Sequence, residues 1–166
     1  MMLLSRTYDS AMVSALLAAL KSHLRITAND LDGQLDMYLR AAISSAEQYV
    51  GFYLVKSSII LEEDFSDMLK LPLPLISVGE VQLDGAVLTS DDYCVFGRRL
   101  VFADGVFGSR VTVQCIVGRE HMEEDIRAAI MLRAAKLFNN PADSVETLIN
   151  TSDNLLAPYR HFIYGE

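Results

Sequence analysis

Between residues 123 and 138 the chain reads EEDIRAAIMLRAAKLF, and Asn139-Asn140-Pro141 follows as a stop signal. From 126 to 138 ten of thirteen residues are apolar. At 100° per residue Ile126, Ile130, Met131, Ala134, Leu137 and Phe138 sweep one side, and Ala128, Leu132 and Ala135 occupy the other. A helix of this kind must be covered nearly all round. Glu123, Glu124 and Asp125 fall in the first turn, where the helix dipole favours negative charge. Arg133 and Lys136 share the one polar strip. At about 1.5 Å per residue the segment crosses a small domain and is its expected core axis.

In a chain this small, some of that cover could come from a neighbouring subunit. With 166 residues, 51% of them hydrophobic and 22% charged, the chain is expected to form a single domain over 1–166. The net charge of -8 is concentrated in the middle third, where residues 57–118 carry four basic and nine acidic groups. Such a surface repels phosphate, so sequence-reading nucleic-acid binding is not expected, although a passage past which DNA slides is compatible with it. Cys94 and Cys115 lack the dense spacing of a bridge-stapled domain and are expected as buried free thiols. No apolar run approaches the roughly 18 residues of a membrane span, and the expected protein is soluble and intracellular.

The fold class expected is α+β: a mainly helical body with an antiparallel β insertion, about residues 57–117, between N-terminal and C-terminal helices. In this division 1–56 is helical, 57–118 the β unit and 119–166 helical. Leu16, Leu17, Leu20 and Leu24 give a first short helix over about 14–23. Thr27-Ala28-Asn29-Asp30 fits a capping box for a second, in which Leu35, Leu39, Ala42, Ile43, Ala46 and Val50 face inward, Glu47 faces away, and Gly51 is the stop. Within 57–117 strands are expected at 58–61, 76–83, 93–96, 100–102 and 110–117. The Leu71-Pro72-Leu73-Pro74 lead-in cannot be a central strand, and Asp84-Gly85 is the clearest hairpin turn because both residues tolerate positive φ. Further on, 143–149 reads as a short helix, and Ser152 or Asp153 can cap a last turn that Pro158 ends.

Chemistry is scarce. The chain has no G-x-G-x-x-G, G-x-x-x-x-G-K-[ST], G-x-S-x-G or H-E-x-x-H, so the common phosphate cradles, nucleophile elbow and zinc helix are missing. His121 with Glu124 and Asp125 is the nearest approach to a ligand group, and a solvated acidic first turn is its plainer account. No enzyme, cofactor or metal site is expected.

Several segments, in order, resemble the small head-tail connector (adaptor, or head-completion) proteins of long-tailed bacteriophages. They are Leu20-Lys21-Ser22-His23-Leu24-Arg25-Ile26; Leu71-Pro72-Leu73-Pro74-Leu75-Ile76-Ser77-Val78 leading to Val81-Gln82-Leu83-Asp84-Gly85; Tyr93-Cys94-Val95; Val111-Thr112-Val113 ending at Gly118; the 126–138 helix with Asn140; and Leu155-Leu156-Ala157-Pro158-Tyr159-Arg160. The chain departs from the family's pattern at Pro141-Ala142 and at Cys115, where an aromatic is usual. The resemblance implies a structural protein of the virion head-tail neck, present in the bacterial host cytoplasm before assembly. It implies a closed, dodecameric homo-oligomeric ring that continues the portal channel, with portal protein on one side and a downstream neck or tail protein on the other. DNA would pass without specific binding, and no membrane is involved. In such a ring Arg133 and Lys136 are candidates for pairing with a neighbour's carboxylates, the alternative being a solvated strip. Other classes left open are a small cytoplasmic enzyme using acidic groups near His121 and a regulatory binding module. At the C-terminal end Tyr159, Arg160, Phe162 and Tyr164 crowd the last residues. They either complete the subunit's own core or dock to a partner, and the resemblance favours docking.

Overall fold

The computed structural model describes residues 1–139 and 151–160. The short helix expected over 143–149, and Phe162 and Tyr164, lie outside the described residues. The fold is α+β as expected. It falls into two compact units, one of Met1–Asp9 with Val55–Glu120 and one of Ser10–Leu54 with His121–Glu166. The expected boundaries at 57 and 118 are each two residues from the observed ones. The first nine residues, however, change sides: the segment 1–56 is not all helical.

In the β unit a five-stranded antiparallel sheet has the order β1 (Met2–Tyr8), β2 (Ser57–Asp64), β8 (Arg110–Val117), β4 (Leu75–Leu83), β5 (Ala86–Val87). A second, three-stranded sheet has the order β3 (Met68–Lys70), β7 (Arg99–Phe102), β6 (Tyr93–Phe96). β8 is central and alternates strictly, burying Val111, Val113, Cys115 and Val117, while β2 buries Ser57, Ile59 and Leu61 beside it. This period of two is the signature of a sheet with one covered face. The Pro72–Pro74 stretch lies between β3 and β4, as its missing N–H groups require. Asp84 and Gly85 turn β4 into β5 with φ of 50° and 85°, the positive values of a tight hairpin turn. Asp84 does more than turn. Its carboxylate accepts hydrogen bonds from the backbone N–H of Ser109 at 2.9 Å and of Arg110 at 2.8 Å, fixing the start of β8. At the other end of β8, Gly118 has φ 99°, and a Cβ there would lie 2.4 Å from the Val55 carbonyl oxygen.

The helical unit consists of α1 (Ser10–Leu24), α2 (Asp32–Val50), α3 (Glu124–Asn139), α4 (Thr151–Leu156) and a 3-10 turn, Ala157–Tyr159. α3 is the axis the sequence indicated, packing against α1, α2 and α4. Ile126, Ala129, Ile130, Ala134 and Ala135 are buried. Its cover is incomplete, because Leu137 is exposed. α2 buries Leu35, Leu39, Ala42, Ile43, Ala46 and Val50 as expected and ends at Gly51, whose N–H donates to the Glu47 carbonyl. Two details differ. The capping box is not formed: the residue before α2 is Leu31, with no side-chain cap, and Lys21 Nζ instead ties the entrance by donating to Asn29 Oδ1 at 2.7 Å and Asp32 Oδ1 at 2.6 Å. Glu47 is buried rather than outward, because its carboxylate accepts the Leu54 backbone N–H at 2.8 Å after the chain has turned at Gly51. As expected, α4 runs through Leu155 and Leu156 and ends before Pro158, which sits in the following 3-10 turn, where its missing N–H costs no hydrogen bond.

Candidate functional site

Arg133 enters α3 among alanines, and that setting decides its fate. Expected with Lys136 either on a solvated strip or against a neighbour's carboxylates, it is only 9% exposed. A buried guanidinium must have its donors satisfied. Its Nη2 donates to Asp153 Oδ1 and its Nε to Ser152 Oγ, both on α4, while Nη1 donates to Ser45 Oγ on α2. The charge therefore joins three helices. Tyr49, one turn beyond Ser45 on the same face of α2, lies with its ring centroid 5.5 Å from the Arg133 guanidinium carbon and 5.3 Å from that of Arg160. These are cation–π distances. Lys136 remains at the surface, as does Arg160, and Tyr159 is half-buried.

Around this hub a cleft of about 720 Å³ is lined by Ala41, Ala42, Ser45, Gln48, Tyr49, Arg133, Lys136, Leu137 and Asp153. The structure thus brings Arg133, Lys136 and Arg160 to one region of the helical unit, with Arg133 as its fixed floor. Sequence reasoning gave Ser45 no role, and read Tyr49 only as part of the inward arc of α2 and Ser152 or Asp153 only as a cap, not as partners of Arg133. The available signal was an arginine between Leu132 and two alanines in a largely apolar helix, a pattern that asks for polar partners on the helices packed against it.

His121, Glu123, Glu124 and Asp125 are exposed. Among the described residues no group of three or more His, Cys, Asp and Glu side chains is gathered to hold a metal ion. Both cysteines are free, but Cys94 is exposed, against expectation, because it points to the outer face of the small sheet. Burial pushes the Cys115 thiol up from 9.0 to about 11. Among the described residues no helix is long and apolar enough to cross a membrane.

The β unit carries two further exposed groups of side chains that the sequence had not singled out. At one end of the five-stranded sheet, register places the start of β1 beside the end of β2 and the start of β8 beside the end of β4. Met2, 58% exposed, stands there beside Glu62, Glu63 and Asp64; Phe107, 79% exposed, lies two residues before the Ser109 whose N–H Asp84 accepts; and Val87, 60% exposed, is on the opposite edge strand. The second group is the tip of the β6–β7 hairpin, where Phe96 pairs with Arg99 and Arg99 with Lys70. Phe96 is 67% exposed, and Lys70, Arg98 and Arg99 are exposed beside it.

Residues 14–71 match the family model of the Phage gp6-like head-tail connector proteins. No curated protein matches the chain. Among solved structures, a chain in the neck of the native GTA particle computed with C12 symmetry shares 21% identity over 99% of both chains, with a TM-score of 0.74. A chain in the neck of the empty GTA particle computed with C6 symmetry shares 22% over 98% of this chain and 99% of the other, at 0.72. A third, from the virion of the native gene transfer agent (GTA) particle, gives 22%, the same coverage and 0.71. The match over 14–71 bears out the resemblance to phage head-tail connectors read from the sequence. The α+β fold is shared over nearly the whole length with these neck-particle chains.

Proposed function

We propose that this protein is a structural head-tail connector: copies assemble into a closed ring in the neck of a phage-like particle, continuing the DNA channel between portal and tail components. The observation that carries this reading is the connector-family match over 14–71. A fold shared end to end with chains of a neck computed with C12 and C6 symmetry supports the ring and favours twelve copies. An acidic protein suits a passage that DNA must traverse without sticking. Portal protein on one face, a downstream neck or tail protein on the other, and residence in the host cytoplasm before assembly complete the reading. The role is non-enzymatic and needs no cofactor. Stoichiometric metal at His121 and Glu124, lost on substituting either, would contradict that.

Within the ring we assign partner contacts to the exposed Lys136 and Arg160, to Tyr159, and to Phe162 and Tyr164 beyond them. Arg133 contributes by holding the cleft together. Native mass measurement over a wide concentration range, alone and with portal added, tests the assembly. Ring species, or a monomer that assembles only on portal, are expected; a strict monomer under both conditions sinks the proposal. Deleting 159–166 should leave the helical circular-dichroism signal and the melting of the subunit nearly intact and abolish ring formation or attachment to portal-bearing heads; a truncated protein that unfolds, or that still joins heads, removes this segment from the contacts.

A further inference from the structure

Resting on the ring reading, we infer that neighbouring copies join through their β units, the β6–β7 hairpin tip of one copy seating on the acid-rimmed apolar end of the next copy's five-stranded sheet. The two surfaces are complementary in both respects that matter. The tip presents an aromatic side chain, Phe96, flanked by the cations Arg98, Arg99 and Lys70. Between Tyr93 and Val101 the sequence itself carries two arginines and no carboxylate. Aromatic and Arg side chains are the groups that most often anchor interfaces. The sheet end offers the inverse, exposed Met2 and Phe107 bordered by Glu62, Glu63, Asp64 and Asp84, which outnumber Arg110 and the Met1 amino group paired with Glu62 and Glu63.

The surfaces differ, so the contact is head-to-tail, the type that closes into a ring when its rotation permits. They also lie apart within the unit. The tip sits at the opposite ends of β3 and β7 from the segments joining those strands to β2 and β8, and the sheet end is where β2 stops and β8 starts. One copy can therefore offer both surfaces at once. Backbone turns carry both, Gly97 with φ 60° at the tip and Asp84-Gly85 at the sheet end.

The test is a charge swap. R98E/R99E should reduce ring formation, alone or on portal, by about tenfold or more, because it sets like charges against each other. E63R/D64R should do the same. An equimolar mixture of the two folded variants should recover rings, since every contact in an alternating ring regains opposite charges. F96D, which leaves the arginines in place, should also assemble poorly, and unchanged far-UV circular dichroism certifies each variant's fold. Normal assembly of R98E/R99E and F96D overturns the inference and leaves the ring reading standing. A mixture that fails although both variants are folded overturns it as well. Duplex DNA binding lost in R98E/R99E with assembly unaffected would give the tip to nucleic acid instead. A wild-type protein that is strictly monomeric, even with portal, removes the ring reading and this inference together.

Discussion

The two compact units treat their misplaced residues in opposite ways. In the helical unit, charge is drawn inward: Arg133 and Glu47 are buried, and each makes hydrogen bonds that join or end helices. In the β unit, apolar side chains are left outside: Phe96, Phe107 and Val87 are more than half exposed and complete no core. The first arrangement fixes a structure, because removing one partner of a buried polar set strands the others. The second contributes little to the fold of one chain and is suited to contacts with another.

Breaking the helical unit's side of this contrast should have the largest effects. Arg133→Glu places a carboxylate against Asp153 and should cost about 4 kcal/mol in urea unfolding, whereas Lys136→Glu should stay within about 0.5 kcal/mol. A drop in assembly from Arg133→Glu with stability intact would mean that the arginine acts at an interface after all. In the β unit, Gly118→Ala should cost about 3 kcal/mol, since the alanine must adopt a positive φ and meets the Val55 carbonyl. Glu47→Ala should cost about 1–2 kcal/mol by orphaning the Leu54 N–H. Cys115 sharpens the comparison through pH. Its thiol stays protonated in the fold up to about 11 but ionises from 9.0 when unfolded, so the unfolded chain binds fewer protons between those values. Stability should therefore fall across pH 9 to 11, and less so in Cys115→Val. Smallest of all, Phe107→Ser should change stability by under about 0.5 kcal/mol, and a much larger loss would make Phe107 a core residue.

What could be read from the sequence was whatever is settled locally. The alternation of β8, the Asp84-Gly85 turn, the inward arc of α2 and the apolar run of α3 each depend on neighbours within a few residues, and all appear in the fold. What escaped depends on partners far along the chain. Met2–Tyr8 has no clear alternation and becomes a strand only because β2 lies alongside it. The partners of Arg133 stand 88 residues before it on α2 and 20 after it on α4, so helical spacing alone assigned it to the polar strip. The connector resemblance was recoverable because order along the chain carries it. The exposed tips were not, because an aromatic at a strand end reads like core until burial is known.

The chain's route through its two units has one more consequence. β1 pairs with the next strand along the chain only across a long connection: the Asp9 N–H reaches the Lys56 carbonyl at 2.9 Å, closing a loop that contains α1 and α2 entire. The entropy of that closure is charged to the β1–β2 ladder alone, since β1 is an edge strand bonded on one side. Its amides should therefore exchange with solvent deuterium well before those of β8, which is held on both sides. A strand that opens separately from the rest of its sheet is also one that can be traded between molecules, so swapped dimers at high concentration should exchange this segment before any other.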